Sequence, residues 1–211
     1  MSICFHILSY PVFSRFRRCS LKVKVGFFAI LLFSSIFITS PLFSFASLVA
    51  ALLHELGHLI AAFFLRIPMK EFSVGLFGFG LTPKNSLYSY SNEILLCASG
   101  PISNLCFGTL SLWALRNFSP PFLLSFTFAS FAFAFLNLLP IKSFDGGRLL
   151  RAILLLRLPL SFTETLLSLL SFLCIFSLWS FSVYLLLRMA SSLSLFVFSI
   201  SLFVRIFLSE E

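Results

Sequence analysis

Two histidines and a glutamate stand in the run His54-Glu55-Leu56-Gly57-His58, inside an apolar stretch covering 43–65, in a chain with one other histidine. Residues four apart share a helix face, so both imidazoles can point at one metal ion. Glu55, one step round, can reach water bound to that ion. This chemistry is hydrolytic: the metal acidifies its water and polarises a carbonyl, and the glutamate accepts the proton. A catalytic zinc usually has three protein ligands and one open position, so the pair needs a third. His6, Glu71, Glu93, Asp145, Glu164, Glu210 and Glu211 are the candidates. Asp145 stands apart in Asn137-Leu138-Leu139-Pro140-Ile141-Lys142-Ser143-Phe144-Asp145-Gly146-Gly147-Arg148. There Pro140 stops a helix, two glycines follow the acid, and apolar residues surround it, a pattern that can aim a carboxylate inward. The competing reading is a structural pair of histidines satisfied by hydrogen bonds between helices. Ionisable groups inside a membrane are costly and usually mark function, which weighs against it.

The elements around these residues must span a bilayer. The chain has 211 residues, 59% hydrophobic and 10% charged, with mean hydropathy +1.07, far outside the range of soluble domains. So few charges cannot cover a soluble surface of this size, and 31 phenylalanines suit lipid-facing and interhelical packing. The net charge of +8 does not point to nucleic acid, because the basic residues fall between apolar segments instead of forming a stripe. Five cysteines, odd in number, widely spaced and without a C-x-x-C pair, argue against both a disulfide framework and a cysteine metal site.

The expected organisation is a basic cytoplasmic arm over 1–24, one transmembrane domain over 25–208 and a tail at 209–211. The arm leads into an apolar run ending near Thr39 that lacks a convincing small-x-small cleavage site, so it reads as an uncleaved first span. Further spans fall at 42–65, 93–115, 122–140, 163–187 and 189–208, each near the roughly 20 residues a bilayer requires. With the N-terminus inside, thirteen of the fifteen lysines and arginines are cytoplasmic, and only Arg116 and Arg188 lie outside. The positive-inside rule thus favours six spans with both termini in the cytoplasm. Residues 68–92 are too polar and glycine-punctuated to span. Gly75, Gly78 and Gly80 argue against helix there, leaving a short strand or hairpin at the membrane surface, or an ordinary surface loop. The fold class is therefore all-α and polytopic, with about six transmembrane helices and a short membrane-associated β segment after the second. Spans two and four both run inward. HELGH then lies about 10 to 16 Å from the cytoplasmic end of its span, and Asp145 emerges on the same side.

Three patches of the chain resemble the site-2 protease family of intramembrane zinc metalloproteases. They are HELGH at 54–58, Ala98-Ser99-Gly100-Pro101-Ile102-Ser103-Asn104 in the third span, and the Asp-Gly stretch at 137–147. The resemblance implies one zinc ion held by His54, His58 and Asp145, with Glu55 catalytic and Asn137 helping to hold the substrate. Gly100, Pro101 and Asn104 match a helix-packing motif of the family, to which no catalytic part is given. The segment at 68–83 resembles the family's β segment, whose free edge can pair with an unwound substrate strand. Phe144 stands where leucine is common before Asp-Gly, a conservative change. The chain resembles a minimal, sporulation-type branch, without room for a PDZ insertion and without a C-terminal regulatory domain. Control by a separate membrane protein is the implied arrangement, in a bacterial cell (inner) membrane.

The function expected is cleavage, in or near a transmembrane segment, of a membrane-protein substrate. Its alternative is a catalytically silent membrane assembly or interaction protein that keeps the fold. Glu55 beside both histidines favours the enzyme, since a silent relative need not keep the proton carrier. A transporter is disfavoured by the lack of internal repeats or paired broken helices.

Overall fold

The computed structural model describes residues 20–23, 40–67, 69–75, 78–83 and 89–189. Within them lie three strands and five helices: β1 (Ser20–Val23), α1 (Pro41–Phe64), β2 (Met69–Gly75), β3 (Gly78–Pro83), α2 (Tyr90–Ala114), α3 (Pro121–Leu138), α4 (Asp145–Leu155) and α5 (Leu160–Met189). Four of them, α1, α2, α3 and α5, are long and apolar enough to cross a membrane. Their outward faces fit lipid and not water: Phe64 is 76% exposed, Phe135 69% and Leu110 68%.

Helix ends follow local chemistry. Pro41 and Pro121 stand at the first turns of α1 and α3, where a missing N–H costs nothing. Helix α1 ends in a left-handed residue, Arg66 (φ 56°), while the Ile67 N–H reaches back to the Ala62 carbonyl at 3.0 Å and the Ile67 side chain buries beside Ala62 and Leu96. This is the Schellman closure, with arginine accepting a conformation that glycine more often supplies. Helix α3 stops at Leu138 because Pro140 drives Leu139 into extended backbone (φ −60°, ψ 141°).

The core lies where α1, α2 and α3 pack. Ala46 and Ala50 of α1 meet Phe126 and Ala129 of α3, and Ser111 of α2 shares a 2.6 Å hydrogen bond with Thr127 of α3. Small residues let α1 and α2 approach closely: a Cβ on Gly57 would fall 2.6 Å from the Ser99 carbonyl oxygen and 2.7 Å from the Ser103 Cβ. The Ser103 hydroxyl donates to the Leu53 carbonyl at 2.8 Å across the same contact.

Between α1 and α2, β2 and β3 form an antiparallel hairpin, and β1 joins β2 in parallel, giving the order β1-β2-β3. Ser20–Val23 belong to the basic arm at 1–24, where no strand is expected, yet they pair with Glu71–Val74 of β2. The expected first span at 25–39 lies outside the described residues, as does nearly all of the sixth at 189–208. The boundary expected between 187 and 189 is no helix break: α5 runs through Met189, with neither glycine nor proline in its 30 residues to end it. Helix α4 went unforeseen because its 11 residues carry Arg148 and Arg151, too short and too charged to resemble a span.

Candidate metal centre

Helix α1 carries His54 and His58 one turn apart on its buried side, 5% and 8% exposed, with Glu55 8% exposed beside them. Asp145 comes from elsewhere. After Pro140 the chain turns through 141–144 and enters α4 with Asp145 as its first residue, where a carboxylate suits the positive helix terminus. The turn is held from two sides. Gly146 and Gly147 lie so close beneath the carbonyls of Leu138, Leu139 and Ile141 that a Cβ on either would overlap backbone. On the other side, Ile141 and Phe144 pack on Ile175 of α5, whose Ser171 hydroxyl lies 3.0 Å from the Lys142 N–H and 3.2 Å from the Pro140 carbonyl. Arg148 stands 3.7 Å from Glu93 in the first turn of α2, tying α4 to that helix.

These contacts bring three atoms together. Asp145 Oδ2 is 2.9 Å from His54 Nε2 and 3.0 Å from His58 Nε2, and the two Nε2 atoms are 3.2 Å apart. Around a tetrahedral zinc with bonds of 2.0–2.1 Å, neighbouring ligand atoms are separated by about 3.3 Å, so the spacing fits a single ion. Two imidazoles and one carboxylate are the donor set of a hydrolytic zinc with an open position. Gly100 keeps space beside them, since a Cβ there would overlap His58 Nε2 and lie 2.7 Å from His54 Nε2. Burial opposes the charge on Asp145, but hydrogen bonds to His54 and His58 and the charges of those rings outweigh it. Its carboxyl is held below the usual carboxylate range.

The reverse sides of the rings meet α2. His58 Nδ1 lies 2.8 Å from the Leu96 carbonyl oxygen. A carbonyl only accepts, so Nδ1 carries a proton there, which leaves Nε2 as the ring atom that faces the cluster. The Ser99 hydroxyl donates to the same carbonyl at 2.6 Å and sits 3.2 Å from His58 Nδ1. Asn104, fully buried, lies 3.4 Å from His54 Nδ1 through its amide nitrogen.

The structure thus gathers His54, His58 and Asp145, places Glu55 buried next to them in the chain, and leaves Asn137 at the end of α3. There the Asn137 amide nitrogen donates to the Phe133 carbonyl one turn back, at 3.0 Å. Residues 96, 99 and 104 were not read from the sequence as partners of the site. The signal was present in the polar and small positions Ser99, Gly100, Ser103 and Asn104, spaced three to four apart in an apolar span.

A membrane-capable helical fold with a His-His-Asp group at the meeting of two helices and a turn defines the class of molecule. The same arrangement of elements is found in the solved structure of the site-2 protease from Methanocaldococcus jannaschii. The two superpose with a TM-score of 0.63 over 96% of this chain and 93% of that one, at 17% identity. The likeness is one of fold. No family model and no curated relative matches the chain.

Proposed function

We propose that this protein is an intramembrane zinc metalloprotease that hydrolyses a peptide bond in or near a transmembrane segment of another membrane protein. The observation that carries the reading is the convergence of His54 Nε2, His58 Nε2 and Asp145 Oδ2 on one point, each within about 3 Å of the others. These three residues would hold Zn2+, which when bound supplies a Lewis acid for a carbonyl and lowers the pKa of water. Glu55 takes the proton from the attacking water and returns it to the departing amine. One of its oxygens, Oε2, is buried without a hydrogen-bond partner among the described residues. Such an atom is expensive as structure and useful as a proton acceptor, which favours the enzyme over a silent relative.

A substrate helix hides its amides in internal hydrogen bonds and must unwind before its carbonyl can be attacked. Strand β3, at the end of the sheet order among the described residues, offers an outer edge on which such a segment can add, and Asn137 is assigned to hold the extended chain. The topology proposed is six spans within one domain at 25–208, with both termini cytoplasmic in a bacterial cell membrane. Control by a separate membrane protein completes the proposal.

The test is cleavage of a panel of single-span substrates by the purified full chain, with and without Glu55→Gln. The expected result is fragments from the wild type and none from the variant, with metal content equal in the two. Fragments at wild-type rate from Glu55→Gln would remove the proton carrier. A wild type that binds metal and cuts nothing in the panel would favour the silent relative.

A further inference from the structure

One buried polar group that the zinc reading leaves unexplained stands directly against a ligand ring. Asn104 of α2 is 0% exposed, its amide nitrogen lies 3.4 Å from His54 Nδ1, and its amide oxygen Oδ1 is buried without a hydrogen-bond partner. If His54 Nε2 donates a lone pair to a metal, the neutral ring must carry its proton on Nδ1. A protonated Nδ1 facing an amide nitrogen sets donor against donor. A half-turn about the Asn104 Cβ–Cγ bond exchanges the two ends of the carboxamide without changing its shape. It puts Oδ1 against the Nδ1 proton and moves the NH2 to the unpartnered position, so the gain is an acceptor facing a donor at His54. His58 already has this arrangement, its Nδ1 proton given to the Leu96 carbonyl at 2.8 Å. Leu96 and Asn104 lie eight residues apart on α2, two turns that face the one-turn pair on α1 as the helices cross.

Resting on the zinc reading, we infer that Asn104 is a positioning residue that accepts the Nδ1 proton of His54 on its amide oxygen, fixing the tautomer in which Nε2 binds metal. Helix α2 then orients both histidines from behind, with a backbone carbonyl for His58 and a side-chain carbonyl for His54. The backbone acceptor cannot be mutated away, whereas Asn104 can, so the assignment is open to test. Outer partners of metal-bound histidines fix ring orientation and raise ligand basicity, and their loss weakens metal affinity by about 10- to 100-fold.

The experiment measures Co2+ affinity of the purified full chain by ligand-field absorption, for wild type, His54→Ala, Asn104→Leu and Asn104→Asp. Leucine fills the space without an acceptor, and aspartate restores one. Asn104→Leu is expected to bind Co2+ about 10- to 100-fold more weakly, and Asn104→Asp to stay within a few-fold of wild type. If both variants fold and bind as tightly as wild type, or both lose affinity equally, the acceptor role is overturned. Because Asn104→Leu can fail to fold, the Zn2+-loaded wild type labelled with 15N histidine supplies a second readout. It should show His54 protonated at Nδ1, with that proton slow to exchange with water. A proton on Nε2, or a freely exchanging Nδ1 proton, overturns the inference. Absence of Co2+ binding by wild type itself would instead sink the zinc reading, and a wild type that binds while His54→Ala binds equally would do the same.

Discussion

Helix α1 sets His54 and His58 on one face by its own period, with α2 behind the rings, whereas Asp145 is presented by a turn that only packing against other elements holds in place. Two ligands one turn apart share a face wherever the helix forms, so their mutual geometry survives local damage elsewhere. The third depends on contacts from 29 and 31 residues away in sequence, where Ser171 meets Lys142 and Pro140. A site assembled this way has a rigid side and a conditional side, and substitutions should divide accordingly.

The largest effect is expected at the conditional ligand itself. Asp145→Ala should lower metal affinity by at least about 100-fold and stop cleavage while helical content stays unchanged. Metal analysis and circular dichroism on one purified sample would check this, and full metal occupancy would break the comparison at its root. Next comes the close contact beneath the turn. Gly147→Val pushes a side chain into the Ile141 carbonyl, so it should destabilise the fold by about 1–3 kcal/mol as overpacking does. Weaker metal binding should accompany the loss. Unfolding in graded SDS gives the first number and metal titration the second; a variant as stable and as metal-competent as wild type would show the turn to be soft. Ser171→Ala should act more gently, costing about 1 kcal/mol for the lost hydrogen bonds around Pro140 and Lys142. Its signature is a faster off-rate of metal with the chelator in excess.

Smallest of all should be Leu56→Ala. Leu56 stands between the two histidines in sequence but is 44% exposed on the outer face of α1. Lipid tails are as apolar as leucine, so truncation there should shift stability by less than about 1 kcal/mol and leave metal affinity unchanged. A large loss of affinity would mean that α1 is as conditional as the turn.

The same division governs what could be read from the chain beforehand. The spacing of His54, Glu55 and His58 is a local fact, and so are the apolar runs, whose ends at 42–65 and 122–140 lie within a few residues of Pro41–Phe64 and Pro121–Leu138 because proline marks them. Asp145 could be singled out by its setting after Pro140, though its entry into α4 could not, since Arg148 and Arg151 hide an amphipathic helix among spans. The spacing of Ser99, Gly100, Ser103 and Asn104 marks a packed face of α2, but which α1 atoms Leu96, Ser99 and Asn104 meet depends on how the two helices cross. The pairing of Ser20–Val23 with β2 joins residues 51 apart in sequence, such as Ser20 and Glu71, beyond the reach of any local pattern.

Helix α5 has a length that bears on how water reaches the site. Its 30 residues extend about 45 Å at 1.5 Å per residue, against a hydrocarbon thickness of about 30 Å. To lie wholly within that layer it would have to tilt by nearly 50°, more than the roughly 40° at which membrane helices reach their limit. One end must therefore project into the headgroups. The first turns carry a charged cluster: Glu164 there meets Arg151 at 2.6 Å and Lys142 at 3.5 Å. Lys142 belongs to the turn that leads into Asp145, so the conditional ligand hangs from a charged part of the molecule suited to headgroup depth. In the proposed hydrolysis, water then has a short path along that turn, and no pore through the lipid is needed to deliver it.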